Sequence, residues 1–383
     1  MLEVSPRTIP IARPDLGEEE AAAARRVILS GWITQGPEVA TFEDEFAAYV
    51  GTTHACAVAN CTAALHLALH ALGVGLGDEV ITVSHSFIAT TNAIRYCGAV
   101  PVFVDIDPRT YNIDPGLIER AITSRTRAIL PVHQVGLPCD ILPILEVAAR
   151  HNLPVVEDAA CAIGSELRVQ QKWERVGKPH SLVACFSFHP RKLLTTGDGG
   201  MLTTLDPELD RKFRVLRQHG MSISDTTRHL ATTVVFEEYS MLGFNYRMTD
   251  IQAAVGRVQL KRLPALLMRR SKLASHYTER IKGISGLIPP HVPAGVRTNY
   301  QSYAVQVTDQ YATSRDQLMR KLLEQGISTR RGIMNAHQEA AHTDLAHSDL
   351  TCSQVARDSV ILLPLFAEMT LEEVDRVVDA LIP

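Results

Sequence analysis

From residue 54 to about 205 the chain keeps repeating one alternation: a short, wholly apolar β-rich run, then a longer segment of helical pattern. "HACAVA" leads into "TAALHLALHAL", and "EVITVS" into "IATTNAIRYCG". "VPVFVD" precedes "PGLIERAIT", "AILPVH" precedes "ILPILEVAARH", and "LPVVED" follows. Strands that are apolar throughout, rather than every second residue, are buried on both faces. Helices between them supply the cover and the crossovers. The pattern therefore predicts an α/β fold with a mostly parallel central sheet sandwiched by helices. "LVACFSF" and "GMLTT" are two further strands. "MTDIQAAVGRVQLKRLPALLMRRSKLASHYTERI" then reads as one long helix or two, with a break possible at Pro264. A Pro- and Gly-rich connector, "GISGLIPPHVPAGV", leads to a smaller α+β unit closing on "TLEEVDRVVDAL", where Thr370 and Glu373 form a capping box. The expected division is a large domain over 1–255 and a small C-terminal α+β domain over 256–383.

A chain of 383 residues has ample material for two cores. Its net charge of −4, with no basic stripe, argues against a nucleic-acid partner. Seven scattered cysteines without a CxxC argue against a disulfide framework and against a zinc site. The first residues carry no apolar core of signal-peptide type, and no apolar stretch is long enough to span a bilayer. The expectation is a cytoplasmic protein with no membrane partner and no metal.

Four stretches carry possible chemistry. In "ANCTAALHLAL" a strand runs into Asn60, Cys61, Thr62 and a helix start. Unpaired N–H groups there suit a phosphate, although Asn60 or Thr62 also serves as an ordinary cap. In "VVEDAACAIGSE" the carboxylates Glu157 and Asp158 end a strand, which is where ligands bind in open α/β sheets. In "SFHPRKLLTTGDGGML" Ser187 and Lys192 follow another strand. In "GFNYRMTDIQAAVGRVQL" Asn245 and Arg247 precede a helix capped by Thr249 or Asp250. His66 and His70 share a helix face but lack the Glu of an HExxH motif, so they read as packed histidines.

A phosphate cradle, a strand-end Asp and a strand-end Lys are together what pyridoxal 5′-phosphate (PLP) requires. The lysine forms a Schiff base with it, the acid partners the pyridinium nitrogen, and a helix terminus takes the phosphate. With these motifs in this order, the chain resembles the DegT/DnrJ/EryC1/StrS family of PLP-dependent sugar aminotransferases, which have the fold-type I architecture. The resemblance runs from "SGWITQGPEVATFEDEFAAYVG" through "VEDAACAIGSE", "SFHPRKLLTTGDGGMLTT" and "GFNYRMTDIQAAVGRVQL" to "LPLFAEMTLEEVDRVVDAL". It implies that Lys192 carries the Schiff base and Asp158 pairs with the ring nitrogen. It further implies that Thr62 and Ala63 give N–H groups to the phosphate, that Ser187 adds its hydroxyl, and that Phe87 stacks on the ring. Asn245 should reach the phosphate of a neighbouring subunit across a homodimer interface. Two positions depart from the family's pattern. Cys161 stands where Gln or His usually meets the cofactor's phenolic oxygen, and Cys61 stands where the phosphate turn often has Gly.

The expected activity is transfer of an amino group from glutamate, or glutamine, to a keto group of a sugar, most of all a nucleotide-linked keto-deoxysugar. The pyridoxamine (PMP) form would arise during turnover. Arg247, Arg330 and Arg331 are candidates for anionic substrate groups, with His337 at the same mouth. Alternatives are a keto-cyclitol or other free ketone as acceptor, a PLP-dependent sugar dehydratase, whose marker is His in place of the Schiff-base lysine, and a binding protein that kept the fold.

Overall fold

The computed structural model describes residues 8–178, 180–223, 228–229 and 231–383. The apolar runs become β1 (His54–Val58), β2 (Glu79–Val83), β3 (Val100–Val104), β4 (Thr126–Ile129) and β5 (Val156–Asp158). A hairpin of β6 (Glu166–Val169) and β7 (Lys172–Arg175) intervenes before β8 (Val183–Ser187) and β9 (Gly200–Thr204). β2 pairs in parallel with β3 and β4, and β5 in parallel with β8. Single parallel bridges, Ile129 to Val155 and Val132 to Asp158, join the two sets. The strand order across the sheet is thus β3-β2-β4-β5-β8-β9-β1. Only β9 runs against its neighbours in this sheet. The loop that feeds it holds no helix to cross the sheet. It folds back instead, with Phe188 N–H on the Gly199 carbonyl at 2.9 Å.

Both faces are covered, and β1 shows why its run is unbroken. Ala55 and Ala57 enter one hydrophobic core, while Cys56 and Val58 enter the other. The helix Cys61–Ala71 follows β1 and is capped by Asn60, whose Oδ1 accepts the Ala63 N–H at 2.8 Å. "PGLIERAIT" does not become a regular helix. It forms two short 3₁₀ turns, Pro115–Leu117 and Glu119–Ala121, because Pro and Gly open the segment and Ile122 is already extended.

The long helix runs unbroken from Asp250 to Ile281, capped by Thr249 with Gln252 as its capping-box partner. Pro264 sits on its exposed face. Burial of Leu260, Leu263 and Leu266 on one side, and of Leu273, Tyr277 and Ile281 further on, outweighs the roughly 3 kcal/mol a proline costs a helix interior. The expected division at 255/256 therefore falls inside this helix. Beyond it come β10 (Leu287–Ile288) and β11 (Val296–Arg297), the latter added to the β6/β7 hairpin. An antiparallel sheet, β10-β12-β14-β13, follows, with β12 (Tyr303–Val307), β13 (Arg330–Arg331) and β14 (Val360–Leu363). Ile9 joins the core of this C-terminal unit and bridges to Ile327. Thr370 and Glu373 cap the final helix, Leu371–Leu381, as expected. Among the described residues no helix is long and apolar enough to cross a membrane.

A buried ion cluster ties the helix Pro37–Val50 to the sheet. Glu43 accepts the Ala57 N–H at 2.8 Å, faces Arg217, and meets Arg214 at 2.6 Å. Arg217 also donates to the Ala57 carbonyl at 2.6 Å. Burial raises the Glu43 pKa, but the two guanidiniums and the N–H together hold it below the ordinary 4.5. A depressed folded value means stability that is complete above pH 4.5 and lost as pH falls through the folded value. Glu43→Ala leaves buried guanidinium charge uncompensated. Urea unfolding at pH 7 should therefore show a loss of about 3–5 kcal/mol, and the variant should lack that part of the wild-type acid sensitivity. A loss under about 1 kcal/mol would contradict the role given to this cluster.

Candidate active site

The C-terminal ends of the parallel strands β2, β4, β5 and β8 open into one cavity of about 830 Å³. Such crevices are where open α/β sheets bind ligands. Each strand delivers a short polar turn. After β1 come Asn60, Cys61 and Thr62; after β2, Ser86 and Phe87; after β4, His133 and Gln134. From β5 come Asp158 and Cys161, and from β8 come Ser187, His189 and Lys192. The pairing of β5 with β8, Asp158 opposite Cys185, brings Asp158 and Lys192 to the same mouth.

Two of the glycines after Lys192, Gly199 and Gly200, serve packing. A Cβ on Gly200 would lie 2.6 Å from the Asn60 carbonyl carbon, so β9 can run beside the phosphate-type turn only as glycine. A Cβ on Gly199 would lie 2.4 Å from Thr196 Oγ1. Lys192 itself is set by a turn in which its N–H reaches the His189 carbonyl at 2.8 Å.

Lys192 Nζ donates to Cys161 Sγ at 2.9 Å. Burial pulls the lysine toward its neutral form, but Cys161, Cys61 and Asp158 together outweigh it and hold the ammonium above the ordinary lysine value. Asp158 is buried, which pushes its pKa above the ordinary carboxylate value. Hydrogen bonds from Thr90 and from the Ala160 N–H, with Lys192 and His133 nearby, offset only part of that burial. A buried carboxylate so placed gains from an added positive charge beside it. His133 Nδ1 accepts the Cys139 N–H at 3.0 Å, so its proton sits on Nε2, 2.7 Å from Glu157. That pair anchors Glu157 outside the cavity, so of the two strand-end carboxylates only Asp158 faces it.

At the helix start the Asn60 cap occupies the Ala63 N–H. The first-turn donors without an intrahelical acceptor are then those of Cys61 and Thr62. Ser187 Oγ accepts the His189 N–H at 3.4 Å and lines the cavity. Phe87 lines it too, with 63% of its surface exposed. Arg330 and Arg331, on the edge strand β13, close the far wall. Helix-start donors, a hydroxyl, a carboxylate, an amine and an uncovered aromatic face form a donor set that fits PLP.

Three expected site residues lie off this wall. His337 is buried, with Nδ1 2.6 Å from Ser84 Oγ and Nε2 near Gln354, so its imidazole braces the end of β2 instead of lining the mouth. Asn245 and Arg247 lie on the stretch that bridges to Gln218 and Val58, with Arg247 Nε donating to Asn245 Oδ1 at 3.2 Å. The wall also holds residues that the sequence did not single out. Thr90 and Ser86 form a hydrogen-bonded chain onto Asp158. Gln301 donates to the Arg191 carbonyl at 2.7 Å, and its buried Oε1 has no hydrogen-bond partner among the described residues. Thr90 lies 68 residues from Asp158 in sequence, and no local pattern links the two.

An internal-lysine site at the strand ends of a seven-stranded α/β sheet defines a PLP-dependent aminotransferase of the fold-type I class. The comparisons agree. The model of the DegT/DnrJ/EryC1/StrS aminotransferase family matches residues 14–382, and the chain belongs to that family. It is 41% identical over 377 residues to GDP-perosamine synthase of Caulobacter vibrioides, covering 97% of each chain. Its structure is similar to that of DesV from S. venezuelae, with a TM-score of 0.88, 36% identity and 97% of each chain covered. It is also similar to the PLP form of the putative sugar aminotransferase Spr1654 from Streptococcus pneumoniae, with a TM-score of 0.89, 29% identity, and 98% and 97% of the two chains covered.

Proposed function

We propose that this chain transfers an amino group from glutamate or glutamine to the keto carbon of a nucleotide-linked keto-deoxysugar. The observation that carries this reading is the meeting of Lys192 and Asp158 at the ends of adjacent parallel strands, in a cavity whose far wall presents Arg330 and Arg331. Bound through a lysine amine, PLP would supply an electron sink for the carbon–hydrogen bond beside the substrate nitrogen and a carrier for the amino group between donor and acceptor.

The residues then have these tasks. Lys192 holds the cofactor and, once its Nζ is free, moves the proton at the reacting carbon. Asp158 holds the proton on the pyridine nitrogen. Thr62 N–H and the Ser187 hydroxyl bind phosphate. The Ala63 N–H contributes little, being engaged by Asn60. Phe87 stacks on the ring and excludes water from its face. Cys161 offers the phenolic oxygen only a weak thiol donor. Arg330 and Arg331, on the cavity wall, meet anionic parts of the substrates. Retention of Lys192 favours amino transfer over dehydration. The PLP-binding lobe and the C-terminal lobe share the long helix, so the division between them runs through it.

We further propose a cytoplasmic homodimer in which Asn245 completes the site of the neighbouring copy. Its exposed side chain and its place off its own cavity wall support this. Mixing Lys192→Ala subunits with Asn245→Asp subunits gives dimers in which one site carries both lesions and the other is wild type. Activity should rise well above that of either parent. If the subunits exchange and no activity returns, Asn245 does not act in a neighbour's site.

Substrate class is tested with the PMP-loaded enzyme. GDP- and TDP-linked keto-deoxysugars and free keto-cyclitols are offered in turn, and return of the aldehyde form is read by absorbance. Rapid return with a nucleotide-linked keto sugar, and little with cyclitols, is expected. The opposite order would replace the proposed acceptor.

A further inference from the structure

The turn between β2 and the helix Ala89–Tyr96 does two things at once. It projects Phe87 over the cavity, and it buries the hydroxyls of Ser86 and Thr90, both at most 2% exposed. Ser86 Oγ and Thr90 Oγ1 are 2.7 Å apart, and Thr90 Oγ1 donates to Asp158 Oδ2 at 2.7 Å. The second carboxylate oxygen, Oδ1, accepts the Ala160 N–H at 3.1 Å. An ionised carboxylate is acceptor-only, so the single Thr90 proton must point at Asp158. Thr90 Oγ1 is then left as an acceptor, and the Ser86 proton must point at it. With Asp158 charged, the two hydroxyls form a directed chain that ends on it.

We propose that Thr90, backed by Ser86, is the positioning residue that keeps Asp158 ionised and turned so that its remaining lone pairs face the cofactor ring. Lys192 carries the nearby charge, His133 lies close by with its Nε2 on Glu157, and the thiols of Cys61 and Cys185 feel the carboxylate. None of these is an observed hydrogen-bond partner of either Asp158 oxygen; Thr90 and Ala160 are. Each bond in such a buried chain polarises the next, so loss of the first link is felt at the last. The i, i+3 spacing of Phe87 and Thr90 also couples the two ring contacts, because the backbone that sets Phe87 over one face sets Thr90 against the acid at its nitrogen. This inference rests on the proposed contact between Asp158 and the ring nitrogen, and the test separates the two.

The holoenzymes of Thr90→Val, Thr90→Ser, Ser86→Ala and Asp158→Asn are compared by kcat, by KM for the keto substrate, and by the visible band of the lysine-bound cofactor. A hydrogen bond to a charged group is worth roughly ten- to a hundred-fold, so Thr90→Val should lower kcat by about that factor with KM changed by no more than about twofold. Its visible band should move in the same direction as that of Asp158→Asn. Thr90→Ser restores the hydroxyl and should stay within about threefold of wild type. Ser86→Ala, which removes only the outer link, should fall in between. If Thr90→Val does not fold, the band shift and kcat of Ser86→Ala decide the matter. Should Asp158→Asn perturb band and turnover while Thr90→Val and Ser86→Ala do not, the positioning role is wrong and the Asp158 contact stands. A Thr90→Ser enzyme as impaired as Thr90→Val would show packing to be the cause and would also overturn it. An unperturbed Asp158→Asn would remove the ring-nitrogen contact itself.

Discussion

Two short parallel strands, Val156–Asp158 and Val183–Ser187, hold the site together. Their register puts an acid and a lysine-bearing turn side by side, and each comes from a strand buried on both faces. Burial makes the register costly to shift. A slip by one residue would exchange the two faces of each strand, removing Asp158 from the cavity and driving it into a hydrophobic core. The neighbouring turns have their places because the sheet order has β5 at its centre, with the parallel strands β2, β4 and β8 ending at the same edge.

The electrostatics follow from that geometry. Asp158 is a carboxylate the fold buries and only partly compensates, held above its ordinary pKa by desolvation. Lys192 is a half-buried amine held charged by its neighbours. The Asp158 arrangement is not what a stability-optimised core contains, since a buried charge without full compensation is costly. Strain of this kind gathers at functional sites. On the proposed reading, a bound cofactor with a positively charged ring nitrogen would give Asp158 a charged partner, and Lys192 would hold that cofactor.

Much of this was legible in the chain itself. Unbroken apolar runs separated by helical patterns announced a covered parallel sheet, and residues at the ends of those runs fall at the cavity because strand ends share one edge. What stayed hidden has physical reasons. The β6/β7 hairpin turns through Gln170 and Gln171, both at positive φ, where a two-residue turn ordinarily signals itself with Asn or Gly. Nothing in the sequence said that Asn60 rather than Thr62 would cap the helix, and that choice engages the Ala63 N–H. His337 follows an edge strand with arginines, yet its imidazole is drawn to Ser84, more than two hundred residues earlier. Thr90 sits in an ordinary helix start, and only the closed sheet sets it against Asp158. Partnerships across the sheet, unlike periodicity along it, leave no local trace.

The identity of the amine that holds the cofactor decides how the site works. The purified protein, yellow with bound PLP, is reduced with borohydride and digested, and the pyridoxyl-labelled peptide is sequenced by mass spectrometry. The label should fall on Lys192 alone, within "SFHPRKLLTTGDGG", with the visible band lost in proportion. A label on Lys172, Lys178 or any other lysine, or no stable label on a protein that binds PLP, would contradict it.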